Sequence, residues 1–153
     1  MIILDYIGHY GPIIVFLIAI YNIFYMKYYL WSFLILSVLN AKLNEIFKLY
    51  IREPRPKDQI AFIDHNNLNG AHLYGMPSGH AQGISFSIFY LYLVKQSNPL
   101  LFLTFFIGMI TLYQRWKYHR HSIEQLTVGF TIGSILGYLA YYVTNYMIHY
   151  YHS

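Results

Sequence analysis

Long apolar runs separated by few charges constrain this chain more than any other feature. Of its 153 residues, 57% are hydrophobic and only 10% are charged. A soluble domain usually carries about 25% charge. So few polar groups cannot cover a water-facing surface, and the chain reads as an integral membrane protein. Its 18 tyrosines can place rings at both interfaces, where amphipathic aromatics settle. Cysteine is absent, which removes disulfides and thiolate metal sites. Residues 1–10 lack a basic n-region and a small-residue cleavage site, so no secretory signal is expected.

The expected fold is all-α, a multi-pass transmembrane bundle of about five spanning helices. The first runs from about residue 2 or 12 to 26, its start blurred by Asp5, Gly8, His9 and Gly11. The others cover about 29–50, 78–94, 99–116 and 122–148. Several apolar cores are shorter than the ~20 residues a full span needs, so their polar ends complete it within the membrane's depth. Residues 26–29 and 95–99 are short turns, and 51–77 is the one long loop. Pro54 and Pro56 stop the second helix and push Arg55 towards extended backbone. Further on, Ile60-Ala61-Phe62-Ile63 is apolar enough to dip into the interface as a lid, ahead of the polar run Asp64-His65-Asn66-Asn67. No long-period repeat divides the chain, which reads as a single domain over residues 1–153. Counting crossings puts 51–77, 117–121 and the N-terminus on one side of the membrane. The two short turns and the C-terminus lie on the other.

Seven of the ten Lys and Arg residues fall in two clusters, 48–57 and 115–120. Such clusters beside membrane segments suit anionic headgroups or an anionic substrate. Simple interfacial anchoring is the alternative, and it is the reading for Arg52, Lys57, Lys117 and Arg120. His9, His149 and His152 read as solvated interface residues. Between the clusters lies Tyr74-Gly75-Met76-Pro77-Ser78-Gly79-His80. Pro77 fits a helix start, where its missing N–H costs nothing, and Ser78 fits the N-cap. Gly79 lets a ligand approach the backbone. The first-turn N–H groups and the local dipole favour an anion. His80 then stands in the first turn, able to exchange a proton near neutral pH.

Four helices carry small or polar stripes at steps of three and four, which keep residues on one face. The stripes are Ser37, Ala41, Asn44, Lys48; His80, Gly83, Ser87; Thr104, Gly108, Thr111, Arg115; and His121, Gln125, Gly129, Gly133, Gly137. Small residues let membrane helices pack closely. Each stripe ends, on the same membrane side, in Lys48, His80, Arg115 or His121. Ionisable groups inside a membrane cost about 2.5–3.5 kcal/mol each on insertion scales and are functional by default. His119 competes with His121 when either is considered alone.

Lys48 followed by Arg55-Pro56, then Pro77-Ser78-Gly79-His80, then Arg115, His121 and Gln125, resembles the three-part signature of the type 2 phosphatidic acid phosphatase and vanadium haloperoxidase superfamily. The motif register selects His121. The family pattern has Ser before the arginine and a final Asp, where this chain has Gln114 and Gln125. Gln125, Glu53-Pro54-Arg55-Pro56 and Tyr74-Gly75-Met76-Pro77-Ser78 with Ala81-Gln82 after the histidine resemble the dolichyl-diphosphatase branch. Glu124 lies about 100° around the helix from Gln125, so it does not replace the missing Asp.

The resemblance implies a hydrolase that removes phosphate from a polyprenyl diphosphate. His121 would attack phosphorus and form a phosphohistidine, with Gln125 holding its imidazole. His80 would protonate the leaving oxygen and then activate water. Lys48, Arg55 and Arg115 would clamp the phosphate oxygens, with Ser78 and the Gly79 N–H helping. An amide can orient the imidazole but not stabilise its cation as a carboxylate does. No metal or other cofactor and no nucleic-acid partner is implied. The partner is an anionic lipid in the membrane. Alternatives are phosphatidate or another lipid phosphate as substrate, phosphoryl transfer to an acceptor, or a non-catalytic phosphate binder. A vanadate haloperoxidase is set aside, because a small membrane bundle lacks its large soluble scaffold. The basic clusters put the site in the cytoplasm by charge counting. The resemblance implies the lumenal or extracytoplasmic face instead, of an endoplasmic-reticulum-type membrane if the branch is right.

Overall fold

The apolar runs become helices within a few residues of their expected ends: α1 (Ile2–Ile23), α2 (Lys27–Ile51), α3 (Gly79–Lys95), α4 (Asn98–Lys117) and α5 (Ile123–His152). A computed structural model describes residues 2–63 and 69–152, with side chains as far as Tyr150. The run Asp64-His65-Asn66-Asn67 lies outside the described residues. The only other helical element among them is a 3-10 turn (Gly70–Leu73) in the long loop.

The outer surface of the bundle is apolar, and its interior holds buried polar side chains beside a buried apolar core. On α4, Thr104, Thr111, Gln114 and Arg115 are buried, while Phe102, Phe106, Met109 and Tyr113 are exposed. Three helices, α1, α2 and α5, are long and apolar enough to cross a membrane by length and composition. α3, with 17 residues, and α4, with 20, fall short of that measure, and their polar residues Gln82, Ser85, Thr104, Thr111 and Gln114 are buried. α3 is the axis of the bundle: it packs against all four other helices and is buried from Ala81 to Leu91 except at Gly83 and Phe89.

Glycines set how closely the helices approach. α5 runs parallel to α3 and meets its backbone through Gly129, Gly133 and Gly137. A Cβ at these positions would collide with the carbonyls of Ser78, Gln82 and Phe86 in turn. This is the small-residue contact expected of membrane helices. α1 lies antiparallel to α4, with Gly8 against Gln114 and Gly11 against Thr111. Asp5, Gly8 and Gly11 therefore do not dilute the first helix. With Val15, Ala19 and Ile23 they form its buried stripe, and the helix starts at Ile2 and runs through Pro12. Away from the long loop, Ile23, Phe33, Phe86, Tyr90 and Leu91 close the core.

Two further expectations change. The buried face of α2 is Phe33, Asn40, Asn44 and Lys48, so Asn40 takes the inward place expected of Ala41, which is exposed. Pro77 is not the first helical residue. Ser78 is the N-cap, its Oγ accepting from the Ala81 N–H at 3.4 Å. Pro77 precedes the cap, in a cis Met76–Pro77 peptide.

Candidate active site

All the helix ends that carry motif residues meet at one end of the bundle. α2 stops where Arg52 turns left-handed (φ 55) and returns its N–H to the Lys48 carbonyl at 2.9 Å. Pro54 then holds the chain extended, because a proline cannot continue a helix. A bridge pairs Pro54 with Tyr74, and the Gly75 N–H donates to the Glu53 carbonyl at 2.8 Å. The two arms of the long loop are thereby clasped across the start of α3. The Ser78 N–H donates to the Gln125 carbonyl at 3.0 Å, which ties the second motif to the third.

His121 is at the centre, 3% exposed, in the link between α4 and α5. Its Nδ1 lies 3.2 Å from Gln125 Oε1, and its Nε2 lies 3.2 Å from Arg55 Nη1. The surroundings of Gln125 fix the amide's orientation. Its Oε1 accepts from the Ser122 N–H at 3.3 Å, and its Nε2 donates to the Pro54 carbonyl at 2.9 Å and to Glu53 Oε1 at 2.7 Å. A backbone N–H on one side and two acceptors on the other leave one choice. Nδ1 of His121 must then carry the hydrogen and donate to Oε1, which leaves the Nε2 lone pair facing Arg55. Burial pushes the imidazole well below its usual value of 6.5, and the Arg55, Arg115, Lys48 and His80 charges push it the same way. Burial and the neighbouring charges thus favour the neutral imidazole, with its free lone pair on Nε2.

The cations around it are anchored by backbone. Arg55 donates from Nε to the His72 carbonyl and from Nη1 to the Arg120 carbonyl, each at 3.0 Å. Lys48, 3% exposed, donates to the Tyr74 carbonyl at 2.8 Å. Arg115 is equally buried in the last turn of α4. Ser78 is fully buried and committed to its cap. Gly79 is exposed at the helix start, where an α-helix leaves its N–H without an intrahelical partner. The structure thus gathers Lys48, Arg55, Arg115, Ser78, Gln125 and His121 at one place. His80 stands at the margin, half-buried in the first turn of α3, with its ring 6.1 Å from that of His9.

His119, the rival histidine, points away: its backbone is left-handed (φ 50) and its ring pairs with Asp58. Arg120 is not an anchor but fully buried at 2% exposure, and Lys117 is held by Asp5 at 2.7 Å. His9 is not a solvated interface residue. It lies between Tyr10, Phe62 and His80. Phe62, from the apolar fragment, packs on Tyr6, His9 and Tyr118 at 4.9–5.8 Å between ring centroids. It packs on α1 and on Tyr118, just past the end of α4. Glu53 and the amides below α3 went unread as site residues. Asn44 Nδ2 donates to the Pro77 carbonyl and to Gln82 Oε1, and Gln82 Nε2 donates to Asn40 Oδ1. Glu53 carried a signal, since it opens Glu53-Pro54-Arg55-Pro56. Of the amides, Asn44 carried its place in an inward stripe and Gln82 its place after Ala81, whereas Asn40 carried none.

The model of the PAP2 superfamily matches residues 13–148. Dolichyldiphosphatase from Saccharomyces cerevisiae is 29% identical over 117 residues, which is 70% of this chain and 48% of that one. The chain therefore spans about half the length of the curated relative it matches. A transmembrane PAP2-type phosphatidylglycerolphosphate phosphatase from Bacillus subtilis shares the fold, with a TM-score of 0.71 over 90% of this chain and 73% of that one, at 18% identity. Because the family match runs through all five helices and all three motifs, this integral membrane chain belongs to the PAP2 superfamily.

Proposed function

We propose that the protein is a lipid phosphatase acting on a polyprenyl, dolichyl-type diphosphate through a phosphohistidine on His121, with residues 1–153 working as one catalytic unit. The observation that carries this reading is the neutral, buried His121 whose Nε2 lone pair faces the Arg55 guanidinium. In the proposed reaction Nε2 attacks the terminal phosphorus as the bond to the bridging oxygen breaks, and His80 protonates the leaving phosphate. His80 then takes a proton from water, whose oxygen attacks the phosphohistidine and frees inorganic phosphate. Lys48, Arg55, Arg115 and the Gly79 N–H hold the equatorial oxygens, where charge spreads in the transition state. The dolichyldiphosphatase relative supports the choice of a diphosphate. The test is phosphate release by detergent-purified protein offered a polyprenyl diphosphate beside phosphatidate. Preference for phosphatidate would move the substrate to another lipid phosphate. Release from neither by folded protein would leave a non-catalytic phosphate binder.

A groove of about 390 Å³ supports a lipid substrate. It starts at His72 and Gly79, beside the site, and runs along α3 past Gly83 and Ser87 to Phe16 and Phe86, between α1 and α2. A Cβ at Gly83 would meet nothing within 4 Å. Gly83→Leu should therefore fold normally while occupying room assigned to the prenyl chain. The expected result is a KM for a long-chain diphosphate raised about tenfold, as for about two methylenes kept in water, with inhibition by inorganic phosphate unchanged. An unchanged KM would remove the groove from the reading.

The proposed site faces the lumenal or extracytoplasmic side. Lys48, Arg55 and Arg115 act on His121 and so carry no vote in the positive-inside count. Lys117 is neutralised by Asp5. Lys42 is paired with Glu45 and Arg120 is buried inside the protein, which leaves Arg52 and Lys57 at this end against Lys27 and Lys95 at the other and decides nothing by charge. Since the chain has no cysteine, Lys57→Cys and Gln96→Cys can be probed singly with a membrane-impermeant maleimide on intact host cells. Labelling at position 57 alone is expected, and labelling at position 96 alone would reverse the orientation.

A further inference from the structure

We propose that Glu53 is a positioning residue that supplies, through the Gln125 amide, the carboxylate the third motif lacks. The inference rests on the phosphohistidine reading above. Three groups stand in line: His121 Nδ1 to Gln125 Oε1 at 3.2 Å, then Gln125 Nε2 to Glu53 Oε1 at 2.7 Å. An amide between a donor and a carboxylate is polarised. The anion draws on the Nε2 hydrogen and raises the electron density on Oε1, which strengthens the bond that Oε1 accepts. Attack by His121 Nε2 leaves the ring cationic, with the hydrogen still on Nδ1. Nδ1–H donates to Oε1 most strongly at that moment. Glu53 therefore stabilises the charge that develops, and no proton needs to cross the amide.

The neighbourhood is built for this arrangement. Gln125 is longer than an aspartate, and Gly75 makes the room: a Cβ there would collide with all three terminal atoms of the amide. The Gly75 N–H in turn donates to the Glu53 carbonyl, so the residue that admits the long amide also anchors the backbone of the residue that polarises it. Pro54 takes the other Nε2 hydrogen at 2.9 Å and keeps the amide from turning over. Glu124, the sequence neighbour of Gln125, is exposed and takes no part.

Glu53→Gln keeps the size of the side chain and the backbone bond to Gly75, and removes only the charge. It should lower kcat about tenfold, the difference between a charged and a neutral acceptor. KM and inhibition by inorganic phosphate should stay as in the wild type. In a Gln125→Glu background two carboxylates would face each other, and adding Glu53→Gln should then raise kcat. A substitution that harms one background and helps the other is what an electrostatic role predicts. A purely structural role predicts loss in both, and that result, or a kcat for Glu53→Gln within twofold of wild type, overturns the proposal. A second measurement does not need turnover. In ¹⁵N-histidine-labelled protein the His121 Nδ1–H proton should resonate downfield and shift upfield in Glu53→Gln, and an unmoved resonance also overturns the proposal. Wild-type protein that releases no phosphate while the resonance moves would sink the phosphatase reading and leave the Glu53 linkage standing.

Discussion

Replacing His121 by alanine is expected to lower phosphate release by at least about 10⁴-fold, since the proposed phosphohistidine step is lost with its nucleophile. The residual rate would come from the cations that still bind the substrate. The variant should fold, because the surrounding contacts do not run through the imidazole. Arg55 keeps its bonds to the His72 and Arg120 carbonyls, and Gln125 keeps Glu53, Pro54 and the Ser122 N–H. A second signature follows from the depressed proton affinity of His121. Between its folded value and the ordinary 6.5 the unfolded chain binds more protons than the folded one. Stability is then full above 6.5 and is lost as pH falls through that window. Wild-type protein in detergent should lose more thermal midpoint between about pH 7.5 and about pH 5.5 than His121→Ala does. Phosphate release from the variant within tenfold of wild type would place the nucleophile elsewhere. Equal acid sensitivity would mean that His121 is not held neutral.

What could be read from the sequence followed from residues that repeat with helical spacing. Gly129, Gly133 and Gly137 announced a close helix contact, and it is there against α3. Thr104, Gly108, Thr111 and Arg115 announced one inward face, and all four are buried. These signals survive because a helix fixes which residues share a face before any partner is known. The errors lie where the partner decides. Gly8 and Gly11 looked like blemishes in an apolar run, because only α4 turns them into a contact surface. Pro77 looked like a first helical residue, although Ser78 reads as the cap from sequence, which leaves Pro77 the position before it. Arg120 looked like an anchor, although the link between α4 and α5 turns it inward. Glu53 could not be joined to Gln125 across 72 positions without the clasp between Pro54 and Tyr74. Periodicity reports a face, while a site assembled from a loop and two helix ends depends on closures that no local pattern encodes.

Arg55→Lys should cost about 10²–10³-fold in kcat/KM, although the charge is kept. One side chain reaches three places: the His72 carbonyl through Nε, the Arg120 carbonyl through Nη1, and His121 Nε2 through the same Nη1 at 3.2 Å. A planar fork with five donors can do this, and an ammonium on a flexible stem cannot hold two carbonyls and a ring nitrogen in those directions at once. In the proposed mechanism the Nη1 donor faces the attacking nitrogen and points to where the transferred phosphoryl oxygens would lie. Removing one such preorganised donor typically costs about 10²–10³ in rate. Arg55→Ala should lose more and should regain part of its activity with added guanidinium ion, which restores the fork without the tether. Lysine rescue to within threefold of wild type would show that charge alone is needed at this position. The two backbone anchors would then be read as structural, holding the long loop against the link between α4 and α5, and the phosphate clamp would fall to Lys48 and Arg115.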